Sequence, residues 1–498
     1  MQQSVYRAVL VGVLLLLAGC AHYPSVPITR DFLGGSTQQA CLDLYAGADS
    51  VVREAGVADR GAARIPAFPY LRVDRLLASF RDEVDQPRRF EAWVDRLQAL
   101  AHAGWAVEIA NLPAARRRVL ADQIVRGPFG GGGVNTVLNH CGAILRAADL
   151  ARPSNRRALR AAARADPLYR TWQRVVGLYP VTAMFFRQGI ERWHRRMRAL
   201  YTRPLSGLPV LGRLQRYRPP DEHPAPVAFA RLERDALGIP IIPETARAAL
   251  FAAHAPVLEV DQRSGDDRIG SPVWKPDGTS VIDTSRALVF QRLAYARAGD
   301  RMLVQLVYSF WFPARTASGG LDLLAGHLDG LTWRVTLDPQ GRPWVYDSIH
   351  NCGCYHLFLP TERAVIHPQA DTWQEPPLVL ETIRAPDQGQ RLVLRLAAGT
   401  HYLLRATARD ATPGPVTVYA WRDDNDLRHL PLPGGGSRSL FGPDGIVAGS
   451  ERGERLLFWP MGIPSPGAMR QWGQHATAFV GRRYFDDPWL LINLFGLR

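Results

Sequence analysis

The chain has 498 residues, room for about two to four domains, and its 47% hydrophobic content is that of an ordinary globular protein. A net charge of +14 would suggest a nucleic-acid partner, but Lys275 is the only lysine among 60 basic residues. So lopsided a ratio reads as codon bias, and no nucleic-acid partner is expected; an arginine-rich surface suits anionic lipid or sugar instead.

At the N-terminus Arg7 precedes an apolar run, Ala8 to Ala18, that is too short and wrongly flanked to span a bilayer. The run closes in Leu17-Ala18-Gly19-Cys20, which resembles the lipobox of bacterial lipoproteins. The resemblance implies a signal peptide over residues 1–19, cleavage before Cys20, and a lipid (palmitate among its chains) on that thiol. Ala21, where inner-membrane lipoproteins typically carry Asp, implies sorting to the outer membrane, facing the periplasm. The membrane is then a partner through the anchor, and residues 20–35 form a tether. The cell envelope is oxidising, so the other four cysteines need an account. Pairing Cys41 with Cys141 leaves Cys352 and Cys354 to themselves, and other pairings stay open.

Residues 36–202 read as a helical domain. Apolar residues fall near helical spacing in "ACLDLYAGADSVVREAG", "RFEAWVDRLQALAHA" and "AARRRVLADQIVRG". The glycine cluster in "GPFGGGGVNTVLNH" lacks the Gly-Lys-Ser/Thr end of a phosphate loop and is expected to be a turn ahead of a helix. In "FFRQGIERWHRRMRALY", Phe186, Ile190, Trp193, Met197 and Leu200 mark one helical face, and Arg187, Arg192, Arg195, Arg196 and Arg198 fill much of the rest. A basic amphipathic helix over 186–200 can lie on an anionic membrane; more commonly its stripe packs on neighbours with the arginines in water.

A Pro-rich linker, residues 203–228, leads to a β-rich domain, 229–498, in which the apolar period changes to two after one short helix near "ETARAALFAAHA". The fold class is therefore α+β: a helical N-terminal region, then antiparallel β structure arranged as a sandwich or open barrel.

The stretch "DSIHNCGCYH", Asp347 to His356, carries the chemistry. "LTWRVTLDPQGRPWVYDSIH" predicts a hairpin turning at Asp338-Pro339-Gln340-Gly341, with Leu337 opposite Arg342 and Trp333 opposite Tyr346. Extended, that register sets Asp329 opposite His350 and His327 opposite Cys352, with Cys354 and His356 on the same face. Imidazole and thiolate are ligands for zinc or copper, so His327, His350, Cys352, Cys354 and His356 form a candidate metal set. Asp329 would then orient a ligand or serve as a base. A Cys352–Cys354 disulfide would remove both thiolates.

No hydrolase elbow, zincin, haem-attachment or Walker motif is present. Isolated His401 is expected to be a surface or satisfied core residue, and Glu451 and Glu454 to be surface charge. The first expectation for function is a binding or structural envelope protein with a Cys/His cluster in its β domain. The alternatives are a metal-dependent hydrolase using His327, His350, Cys352 and His356, and a thiol–disulfide or copper-handling protein using Cys352 and Cys354.

Overall fold

The computed structural model describes residues 27–32, 36–220, 227–320, 322–368, 372–387, 389–410 and 416–498. The signal segment, Cys20 and most of the tether lie outside them. Among the described residues no helix is long and apolar enough to cross a membrane.

The N-terminal part is built from α1 (Thr37–Glu54), α2 (Pro87–Asn111), α3 (Ala114–Arg126), α4 (Val134–Leu150) and α5 (Pro153–Ala162). The Ser36 hydroxyl caps α1 by accepting from the Gln39 N–H at 3.2 Å. The glycine cluster does end at a helix, α4, with Gly133 at its N-cap. A disulfide between Cys41 and Cys141 ties α1 to α4, beside a core of Tyr45, Trp93, Leu97 and Trp105. The region is not all helical. Residues Ala63–Ile65 (β1) and Phe68–Val73 (β2) form a hairpin across its core, where two prolines obscured the alternation.

Two further helices, α6 (Thr171–Val176) and α7 (Tyr179–Tyr201), follow, and they pack on the C-terminal part instead of on α1–α5. Tyr169, just before α6, donates from its hydroxyl to the carbonyls of Ala478 and Arg483 at 2.9 and 3.0 Å. Met197 and Tyr201 of α7 enter the core of the β region. The expected linker is likewise part of that core, because it supplies strand β3 (Arg213–Arg218), paired with β4 (Val257–Gln262).

After α8 (Glu244–His254) come β5 (Ser271–Trp274), β6 (Ser280–Asp283), β7 (Leu288–Ala298), β8 (Arg301–Arg315), β9 (Gly326–Leu337) and β10 (Pro343–His350). The series ends with β11 (Leu357–Pro360), β12 (Ala364–Ile366), β13 (Leu378–Val379), β14 (Arg391–Leu396), β15 (Leu403–Arg409), β16 (Val416–Val418) and β17 (Ala420–Asp423). A seven-stranded sheet has the order β13-β11-β10-β9-β8-β7-β17 and a five-stranded one the order β15-β14-β4-β3-β16. Leu258, Val260 and Leu394 of the smaller sheet share one core with Tyr308, Trp333 and Val335 of the larger. The other face of the larger sheet is covered too, Leu303, Trp344 and Phe358 meeting Leu491 and Phe495. Burial on both faces explains the near-continuous apolar run of β8. The α+β assignment thus holds, with the inner faces of two sheets packed as in a sandwich.

The β9–β10 hairpin forms with its turn where expected, the Gly341 N–H donating to the Asp338 carbonyl at 2.9 Å. Its register does not follow the turn. A bulge between Pro343 and Val345 slides the pairing, so that His350 faces Leu331 and Tyr346 faces Val335. The slide totals two residues relative to the expected register, so each side chain keeps its face. Asp329 still reaches His350 as a diagonal neighbour, Oδ1 to Nδ1 at 3.5 Å.

Candidate functional site

Beyond His350 the chain leaves β9, and the five candidate ligands part company. His327 is exposed and its Nε2 lies 2.6 Å from the Ser280 carbonyl oxygen, where it donates. His350 turns to Asp329. His356 turns to Asp347, Nε2 to Oδ2 at 2.9 Å. Cys352 and Cys354 alone stay together, as free thiols. Among the described residues no group of three or more His, Cys, Asp or Glu side chains is placed to hold a metal ion. The expected zinc or copper site of His327, His350, Cys352, Cys354 and His356 is therefore not assembled: His350 and His356 turn to separate carboxylates and His327 to a backbone carbonyl.

Asp329 is not a free base. It is wholly buried, pairs with Arg452 at 3.0 Å and accepts from His401 Nδ1 at 2.8 Å. The second nitrogen of His401 lies 3.3 Å from Asp267, and its ring stacks on Phe312 at 3.8 Å. Burial disfavours a charged imidazole, but the Asp267 and Asp329 carboxylates outweigh it and raise the pKa of His401. Burial likewise opposes ionisation of Asp329, and Arg452, His350 and His401 overcome it, holding its pKa well below the ordinary carboxylate range. This buried ladder balances its charges, although the second nitrogen of His401 and both ring nitrogens of His350 make no hydrogen bond. His401 is thus a core residue, hydrogen-bonded through Nδ1.

The cysteines open on something different. A cavity of about 450 Å³ lies beneath α7. Phe186, Ile190 and Trp193 of α7 form one side; Phe458, Ile463 and residues 476–479 form another. Ring contacts brace it, Phe186 to Phe458 at 4.9 Å and Trp193 to Tyr355 at 5.3 Å. Its few polar groups are the turn Cys352–Tyr355 with His356, Tyr402 and Glu454, and, at the wall of residues 476–479, Thr477 and Glu375, to which the Phe479 N–H donates at 2.8 Å. The turn is closed by His350 N–H donating to the Cys354 carbonyl at 3.0 Å. Gly353 is required in it: φ is +92°, and a Cβ would lie 2.8 Å from the Ala476 carbonyl oxygen. Arg470 holds the Cys352 carbonyl at 3.1 Å.

That geometry makes the two thiols unequal. The Cys354 N–H donates to Cys352 Sγ at 3.4 Å. The Cys354 thiol also donates to that sulfur, and this bond, helped by Arg452 against burial, lowers the pKa of Cys352. Cys354 is raised far above its ordinary value by the same bond and by burial. The pair thus ionises once, on Cys352, with Cys354 keeping its proton. Beside them, His356 donates through Nε2 to Asp347, which Arg334 fixes at 2.9 Å from Nε. Its Nδ1 is buried without a hydrogen-bond partner. Burial pushes the pKa of His356 down to about 4, so the ring is neutral near pH 7 with a lone pair on Nδ1.

Glu454 corrects the expectation of surface charge. It is 5% exposed, lines the cavity, and burial pushes its pKa up to about 7. Leu323 covers the neighbouring Gly453, whose missing side chain leaves room for it. Nothing in "SERGERLL" marks this. Glu375 and Tyr402 also line the cavity, brought in by distant segments that no local pattern marks. The chain matches no protein-family model, no curated protein and no solved structure.

Proposed function

We propose that this is a lipid-anchored envelope protein that binds an apolar, chain-like molecule in the cavity beneath α7. The observation that carries the reading is the cavity itself: about 450 Å³ walled mostly by aromatic and aliphatic side chains, with a few polar groups among them. That is the usual build of a small-molecule site. The Cys352–Cys354 turn, Glu454 and His356 would meet the polar head of the ligand, and Glu454 in its protonated form can donate to a carboxylate or carbonyl.

A fluorescent fatty-acyl probe tests this. It should bind the purified chain with saturable, one-site behaviour, and Ala478→Trp, which fills the cavity, should abolish binding while the fold is kept. Bound probe should also shield Cys354 from maleimide. Failure of the probe to bind, or equal binding by the filled variant, would sink the reading.

A second reading, thiol–disulfide exchange or copper handling by the pair, is favoured by one observation, the two free sulfurs held together at the cavity wall. Stoichiometric Cu(I) uptake, or conversion of the pair to a disulfide by a small disulfide reagent, with a matching loss in Cys352→Ser, would support it. The hydrolase reading has less support, since His327, His350 and His356 turn to different partners and Asp329 is paired with Arg452.

A further inference from the structure

We propose that the outward face around the cavity mouth docks on an anionic lipid bilayer, so that the cavity opens towards the membrane. In naming the bilayer as the source of the ligand the proposal rests on the reading of the cavity as an apolar-ligand site; the docking face stands without it.

The face is built on α7. A helix advances about 100° per residue, so Ala183, Phe186, Ile190, Trp193 and Met197 share its inward side. The opposite side is divided along its length. Near the start it carries Val181 and Phe185, 55 and 69% exposed, and the N-cap residue Leu178, just before the helix, is 66% exposed. Further on it carries Arg192, Arg195 and Arg196, all exposed. Two neighbours widen the apolar end: α6 adds Trp172, and the helical turn Arg455–Phe458 adds Leu456. These segments are held together by the Phe186–Phe458 ring contact and by the Arg170 N–H donating to the Gly462 carbonyl at 2.7 Å. Of the twenty large apolar side chains exposed among the described residues, nine fall within 172–185 and 456–457. Such concentration is unlike the scattered apolar surface of an ordinary monomer. Phe185 belongs both to this patch and to the cavity lining.

Charge selects the occupant. From Phe185 to Arg192 the helix rises about 10 Å, comparable to the depth from acyl chains to phosphates that an interfacial helix samples. With the start of α7 lowest, Phe185 and Trp172 would sit at the acyl boundary and the arginines at the phosphates, which guanidinium groups bind in two-pronged fashion. A second copy of the chain fits worse, since a twofold contact brings only the same patch to this face, and the one carboxylate of α7, Glu191, is already paired with Arg187 at 3.0 Å.

The test is amide hydrogen exchange of the full chain on vesicles of phosphatidylcholine, with and without phosphatidylglycerol. Segments 171–187 and 455–458 should gain protection on the anionic vesicles and lose much of it in high salt. The double variant Phe185→Asp, Leu456→Asp should lose that protection while keeping its unfolding midpoint, both sites being exposed. Arg195→Glu with Arg196→Glu should abolish the preference for anionic lipid. Unchanged exchange in both segments would overturn the proposal, as would protection that appears without vesicles and grows with protein concentration, the mark of a second copy. Acyl-probe binding in vesicle-free buffer separates the two readings: probe binding without vesicle protection leaves the cavity reading standing, and protection without probe binding leaves only the docking face.

Discussion

Three residues carry the strongest local commitments. Gly353 sits at φ +92° with the Ala476 carbonyl where a Cβ would be; Gly353→Ala should cost about 2 kcal/mol or more in urea unfolding, and a neutral substitution would mean the turn is not held as described. Asp329 neutralises Arg452 and His401 in the interior. Asp329→Ala leaves Arg452 without its carboxylate and His401 with Asp267 alone, and should cost about 3–5 kcal/mol, so a soluble, fully stable variant would show that the ladder is not formed. Glu454 has a raised pKa, so its protonated form is favoured by folding. Its contribution is full below the unfolded value and is lost as pH rises through about 7. Glu454→Gln should therefore match wild type near pH 4 and exceed it by about 3 kcal/mol at pH 8; a pH-independent difference would refute the burial of that carboxyl. None of these three roles can be read from neighbours in sequence, because each partner lies more than seventy residues away or, for Glu454, is simply the apolar wall it faces.

At the scale of elements, the β9–β10 hairpin shows how far local rules reach. The Asp-Pro-Gln-Gly turn and the alternation of "LTWRVTL" sufficed for the hairpin and for which side chains share a face. They did not suffice for register, since a bulge intervenes at Pro343–Val345, where Trp344 meets the distant Phe495. That slide kept Asp329 near His350 but put His327 and Cys352 out of reach. The α7 stripe was legible as an amphipathic face; that the helix begins at Tyr179 and exposes Val181 and Phe185 was not, because an apolar residue at a helix start reads as core. The Cys41–Cys141 bond closes a separation of 100 residues. Its loss in Cys41→Ala with Cys141→Ala should lower the stability of the N-terminal part by about 4–5 kcal/mol on the chain-entropy account, measurable as an earlier unfolding transition.

For the whole molecule, buried neutral histidines set the acid response. Burial pushes His194, His254 and His356 down to about 4 and His475 to about 3. A depressed histidine contributes stability that is full above its unfolded value, near 6.5, and lost as pH falls towards 4. Asp74, raised by burial to about 6, and Glu454, raised to about 7, act in the opposite sense, and Glu375, Asp486, Asp487 and His401 are raised as well, but four histidines shifted this far outweigh the two carboxyls shifted comparably. The urea midpoint should therefore fall between pH 7 and pH 5, and a flat profile over that range would show that the histidines are not buried neutral. The N-terminal and C-terminal parts should respond together, since Asp59 pairs with Arg428 at 2.7 Å across their contact.

The sequence by itself determined the α+β class, the periods of the helices and strands, the turn of the central hairpin and the face each of its side chains takes. These follow from spacing of 3.6 or two along a local stretch of chain, and need no partner to be known. Tertiary structure alone decided that residues 171–218 join the β region, that the histidines beside Cys352 turn to separate carboxylates, and that Glu454, Glu375 and Tyr402 meet the two thiols at one cavity. Those outcomes depend on which distant surfaces pack together and on a single bulge. Register and long-range burial are sums over many weak contacts, and no short motif records them.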